Sequence, residues 1–179
     1  MKKQVRYGVF ETNSSSTHSV AVPKLRSAGD NYDRYSLEDY LEDDAIVMKF
    51  GEFGWEERSY RDACDKLQYA LTMVVETECR NGKVGSLEDF YELPGFKLIN
   101  DAVKEETGHE VRMDEEISVH TSTYGNSTYA YTDHNGYIDH QSSVDDYGCL
   151  QDFLDYYDMT IRDFIFNKDI LLITDNDNH

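Results

Sequence analysis

Between Arg6 and Ser19 the chain reads RYGVFETNSSSTHS, which places four consecutive hydroxyl side chains, Ser14, Ser15, Ser16 and Thr17, between Asn13 and His18. Such a run can donate to an anion or offer a nucleophile beside a base. Nucleophilic catalysis also needs an acid to orient the base and donors for the oxyanion. Neither a GxSxG elbow nor an SxxK motif occurs in the chain. In an extended segment Ser16 and His18 would share a face about 7 Å apart, beyond direct hydrogen-bond reach. The competing reading is a Ser/Asn-rich loop that hydrogen-bonds its own backbone. Phe10, Glu11, Asn13 and His18 are the residues through which this segment would touch a ligand or partner. A hydrolase or transferase built on residues 13–18 is the enzymatic alternative.

A second constellation is DHNGYIDH, residues 133–140. Two His and two Asp in so short a span suggest a metal. Asn135-Gly136, however, is a strong signal for a two-residue type I′ hairpin turn. That turn would put His134 and His140 on opposite faces of the ribbon, which argues against a joint site. Gly136 is also misplaced for an EF-hand loop, and no Glu closes one. Walker, dinucleotide-binding, HExxH and zinc-deaminase patterns are missing too. No metal or cofactor is expected.

The third constellation is acidic. On a helix over 150–157, Leu150, Phe153, Leu154 and Tyr157 would face inward and leave Asp152, Asp155 and Asp158 outward. Asp114, Glu115, Glu116, Asp145 and Asp146 add charge nearby in sequence. Like charges at close helical spacing repel, so stability alone would intersperse lysines. One reading is a solvated acidic surface that aids solubility. The sharper reading is a face that imitates nucleic-acid phosphates and docks into a basic groove. Tyr147, Tyr156 and Tyr157 suit such an interface, because tyrosine supplies rigid area with a polar tip.

The elements that must position these residues are mixed. Period-2 patterns predict strands over 19–22, 45–50, 117–121, 124–132 and 137–140. Helical spacing predicts a helix over 60–80, closed by Asn81-Gly82, and another over 95–107, stopped by Gly108. Shorter helices are predicted over 150–157 and 161–167. The apolar run at 169–174 predicts a central strand buried on both sides. SLEDYL, SLEDFY, CLQDFL and TIRDFI repeat one pattern, and Ser36/Asp39, Ser86/Asp89 and Thr160/Asp163 have capping-box spacing. The expectation is an α+β fold, an antiparallel β-sheet with four or five helices packed on one side. It would form one acidic domain over residues 1–179, with a Ser-rich N-terminal segment over about 1–23 and a frayed tail at 175–179.

Charge bounds the function. The 179 residues carry 17 Lys and Arg against 36 Asp and Glu, a formal net charge of −19. Such a chain repels phosphate backbones, so direct nucleic-acid binding is not expected, and a basic partner is. Residues 1–26 are locally basic, with Lys2, Lys3, Arg6, Lys24 and Arg26 against Glu11. With 14 Tyr, 8 Phe and one Trp there is aromatic area for a core. No apolar run could span a bilayer, and the start lacks the apolar stretch of a secretory signal. Cys64 and Cys79 would lie about 22 Å apart along one helix, too far for a disulfide. Reduced thiols in a cytoplasmic protein follow.

The string GVFETNSSSTHS, residues 8–19, resembles the opening of small proteins from phages and mobile elements. Together with size and acidity, the chain resembles type II-A anti-CRISPR proteins, the phage-encoded inhibitors of Cas9. That resemblance implies a non-enzymatic inhibitor, a partner in Cas9 with its guide RNA, and action in the bacterial cytoplasm. Cas9 holds its heteroduplex in a positively charged channel, which a carboxylate-lined face could occupy. An acidic decoy of some other host nucleic-acid-binding protein is the remaining reading.

Overall fold

A computed structural model describes residues 22–23, 31–54, 58–79, 82, 84–139 and 148–174. Its organising element is α1 (Ala63–Glu78). Leu67, Tyr69, Ala70, Leu71, Met73, Val74 and Val75 are all buried, so apolar residues occupy most of the helix circumference and neighbours enclose it. The helix begins three residues later than its spacing predicts. Tyr60 instead completes β4 (Arg58–Tyr60), which pairs antiparallel with β9 (Leu172–Thr174). Packed on α1 are α3 (Pro94–Thr107), α4 (Leu150–Tyr156) and α5 (Ile161–Phe166). Pro94 opens α3 and Gly108 closes it in the left-handed region at φ 84°, donating its N–H to the Lys104 carbonyl at 2.9 Å. All three cysteines are free.

The fold is α+β, with its strands divided among small sheets. β1 (Leu41–Glu42) turns through Asp43-Asp44 into β2 (Ala45–Met48). Both turn residues have positive φ, 47° and 65°, the type I′ requirement. β2 then pairs parallel with β5 (Glu110–Met113), with α1 and α3 lying between them in sequence. Ile46, Met48, Val111 and Met113 are buried, and the residues alternating with them are more exposed. β3 (Glu52–Phe53) pairs parallel with β8 (Tyr137–Ile138). The antiparallel expectation therefore holds for β1·β2 and β4·β9 but not for these two pairs.

Two strand expectations are corrected. The apolar run ending at Thr174 is not equally buried on both sides; among the described residues β9 pairs with β4, and just ahead of it the Leu171 N–H donates to the Pro23 carbonyl at 3.2 Å. Its buried side is formed by Ile170, Leu172 and Thr174, while Ile173 is half-buried. The Asn135-Gly136 hairpin does not form. Gly136 is buried without a positive φ, and a Cβ there would sit 2.3 Å from the Phe50 Cβ. Glycine is required here for close approach. The chain continues into β8, where the Tyr137 N–H donates to the Gly51 carbonyl at 3.0 Å. The real hairpin joins β6 (Ser118–Tyr124) to β7 (Ser127–Asp133) through Gly125-Asn126, with Gly125 at φ 61°. The strand expected over 124–132 is broken at that turn. Val22 is buried; the rest of the strand expected at 19–22, like the tail at 175–179, lies outside the described residues.

The repeated capping pattern is borne out in part. The Ser86 side chain accepts from the Asp89 N–H at 3.2 Å ahead of α2 (Leu87–Tyr91). Thr160 accepts from the Asp163 N–H at 3.0 Å ahead of α5. Ser36 lies inside a 3₁₀ helix (Tyr35–Tyr40) instead of preceding it, and Cys149 makes no capping bond from its side chain.

A buried polar knot ties the two ends of the described fold. Asp62, at the N-cap of α1, makes no side-chain capping bond; instead Asp33, thirty residues before Ala63, accepts from the Ala63 N–H at 3.2 Å. Lys66 is fully buried and donates to the carbonyls of Asn167 at 2.8 Å and Ile170 at 3.2 Å. Burial brings its ammonium down to about 8, despite the opposing pull of Asp33 and Asp62. The unfolded chain thus keeps this proton to higher pH than the folded one, so Lys66 makes stability rise as pH climbs from about 8. Burial of the Cys79 thiol acts in the opposite direction above pH 9, because its pKa is raised to about 12 in the fold. Comparison with Lys66→Met isolates the lysine. Between pH 8 and 9.5, urea midpoints should move in favour of the wild type, by at most about 1.4 kcal/mol per pH unit. A constant gap between the two proteins would refute the assignment.

Candidate functional site

The outward carboxylates of α4 are where helical spacing put them. Leu150, Phe153 and Leu154 are buried, whereas Asp152 and Asp155 are exposed on the opposite side. Asp155 accepts from Gln151 Nε2 at 2.7 Å. Asp158 follows at φ 51°, its N–H donating to the Asp155 carbonyl at 3.2 Å. Tyr156 is exposed, while Tyr157 is half-buried with its ring centroid 5.1 Å from that of Phe153. Asp114, Glu115 and Glu116 form a second group just after β5. Asp114 pairs with Lys49 at 3.2 Å, Glu115 accepts from Asn135 Nδ2 at 2.7 Å, and Glu116 is exposed. Asp145, Asp146 and Tyr147, with Phe10, Glu11, Asn13 and His18, lie outside the described residues.

Several cations of the fold are already engaged by neighbouring carboxylates. Lys97 pairs with Glu92 and Lys104 with Glu110, each at 2.6 Å. Arg34 and Arg162 both bind Glu106, whose side chain is only 4% exposed. Burial alone would raise the Glu106 carboxyl, but its bonds to the two guanidiniums hold it below the ordinary glutamate range. Lys168 stands 3.6 Å from Asp33.

A cleft of about 510 Å³ opens between the 3₁₀ helix, β1, β2 and the end of α3. Leu37 and Ile46 are its buried apolar lining, and Arg34, Glu106, Thr107 and His109 are among its polar groups. Those polar groups bond largely to the protein itself. Arg34 is held by Glu106, His109 Nδ1 lies 2.9 Å from Asp44, and the Thr107 hydroxyl donates to the Val103 carbonyl at 2.8 Å.

The 133–140 constellation is dispersed. Asp133 faces His120 at 3.5 Å, and buried Asp139 accepts from the Tyr137 hydroxyl at 2.9 Å. His134 packs edge-on against Phe50 at 5.7 Å, and burial lowers its pKa against the pull of Asp133, Gly136 and Glu115. His140 lies outside the described residues. Among the described residues no cluster of three His, Cys, Asp or Glu could hold a metal, and no helix is long and apolar enough to cross a membrane.

The β6–β7 ribbon exposes a feature that charge-based reading overlooks. On one face, Ser118, His120, Ser122 and Tyr124 lie alongside Asp133, Tyr131, Tyr129 and Ser127. The signal was available as tyrosines at alternate positions in STYAYTD. No protein-family model, curated protein or solved structure matches the chain.

Proposed function

We propose that the protein acts without turnover, as a binder of a basic nucleic-acid-handling protein in the bacterial cytoplasm. Cas9 with its guide RNA is the partner implied by the N-terminal resemblance. The supporting observation is α4, which buries one face and turns Asp152 and Asp155 to solvent, with Asp158 just beyond. It does so on a chain of net charge −19 in which Lys49, Lys97, Lys104 and Arg162, among the described cations, each pair with a neighbouring carboxylate. Exposed carboxylates in such a field form charge-assisted bonds to Lys and Arg and accelerate encounter at low salt.

The test is titration against DNA cleavage by Cas9 loaded with guide RNA. Inhibition should reach its end point at one copy per complex and weaken as salt rises. The triple reversal D152K/D155K/D158K should raise the amount needed for half inhibition by about tenfold or more, with an unchanged unfolding midpoint. Complete inhibition far below stoichiometry would instead identify an enzyme. Unaltered inhibition by the folded reversal would remove α4 from the interface.

A further inference from the structure

The ribbon of β6 and β7 contrasts with the rest of the chain. Residues 118–133 contain one formal charge, Asp133, in a protein at −19. Instead they are rich in Thr, Ser and Tyr. One face is tied to the body at the base of the ribbon: the Thr132 hydroxyl donates to the Cys79 carbonyl at 2.8 Å and to that of Val84 at 2.9 Å. Gly82 and Gly85 approach the ribbon at Ala130 and Val119 so closely that side chains there would crowd it. The opposite face carries Tyr124, Tyr129 and Tyr131, which are 85%, 53% and 43% exposed. His120 stacks across the strands on Tyr131 at 5.9 Å, and Tyr131 lies 6.4 Å from Tyr129. Two-stranded ribbons are marginal in isolation, and this anchoring holds the base of the ribbon, where His120 and Tyr131 lie.

We propose that this outward face is a cation–π docking surface for arginine and lysine side chains on a basic segment of a protein partner. The inference rests on the basic-partner reading above and adds a second recognition element to it. The faces of aromatic rings are negative and attract a guanidinium or ammonium within about 6 Å of the ring centre. Tyrosine loses little conformational freedom on docking, and here the Tyr129 and Tyr131 rings already lean on one another. Tyr129 and Tyr131 stand two residues apart on one strand, a repeat of about 7 Å that matches alternate side chains of an extended segment. Charge selects among possible occupants. A second copy brings another −19, and a nucleic-acid strand brings phosphates, so long-range repulsion opposes both, whereas a basic segment is drawn in.

The probe is a labelled nine-residue arginine peptide, titrated with the full chain at low and high salt and read by fluorescence anisotropy. Y124A/Y129A/Y131A leaves the formal charge at −19, so the salt dependence should persist while the Kd rises about tenfold. The corresponding triple Tyr→Phe variant should bind like the wild type, because the rings remain. Y124A alone should weaken binding measurably even if the triple Ala variant fails to fold, since its ring contributes little to the interior. Equal affinity of the wild type and a folded triple Ala variant overturns the inference and leaves the basic-partner reading standing. A wild type that ignores the arginine peptide at low salt overturns both. Binding of a twelve-residue oligothymidylate through the same tyrosines, or a dimer in sedimentation that they abolish, would replace the basic segment with the other occupants.

Discussion

Asp33→Ala is expected to lower the unfolding free energy by about 3–5 kcal/mol, the scale of breaking a buried charge arrangement from one side. Asp33 is 2% exposed, and its carboxylate receives the N–H groups of Ser36 at 3.3 Å and Ala63 at 3.2 Å, with Lys168 at 3.6 Å. Truncation would leave the first turn of α1 without that acceptor and deprive buried Lys66 of a favourable charge. Burial pushes the Asp33 carboxyl upward, but its hydrogen bonds and Lys168 prevail and hold it below the ordinary aspartate value. The sign of the linkage follows. The contribution is present above the unfolded pKa of 3.8 and is lost as pH falls through the lower folded value. Urea denaturation at neutral pH should therefore separate the variant clearly from the wild type, with the gap closing under acid. A loss below about 1 kcal/mol would show that solvent or another group supplies the cap.

The knot also marks what was legible in the sequence. Helices α3, α4 and α5 were readable because their buried residues recur at 3.6-residue spacing, and α1 because Ala63, Leu67, Leu71 and Val74 do so within a longer buried run; Gly108 ended α3 through a local conformational requirement. The Asp33–Ala63 cap was hidden, since nothing local links two residues thirty positions apart. Asn135-Gly136 misled for the same reason: turn chemistry predicted a hairpin, but the glycine is there to admit the Phe50 side chain. Gly125-Asn126 is itself a hairpin signal, but tyrosine and threonine continue the β-pattern on either side and hide the break. At the candidate site, the outward set of Asp152, Asp155 and Asp158 followed from periodicity. The tyrosine face required knowing which side of the ribbon Thr132 ties to the body.

Phe153→Ala should likewise cost about 3–5 kcal/mol, and its functional consequence differs from that of any charge reversal. Phe153 is fully buried, with ring centroids 5.4 Å from Phe164, 5.1 Å from Tyr157 and 6.3 Å from Tyr69. Seven residues are too few for a helix to persist alone in water, so α4 depends on this packing. Removing the ring should therefore expose α4 to hydrogen exchange well before the enclosed α1. Every carboxylate remains, and the net charge stays at −19. If recognition needs Asp152 and Asp155 fixed on a helical face, Phe153→Ala weakens binding of the basic partner under conditions where the rest of the chain stays folded. If net charge alone suffices, its affinity matches the wild type. With D152K/D155K/D158K, which alters charge and keeps the buried Phe153 packing, the pair separates a shaped acidic surface from simple polyanionic attraction.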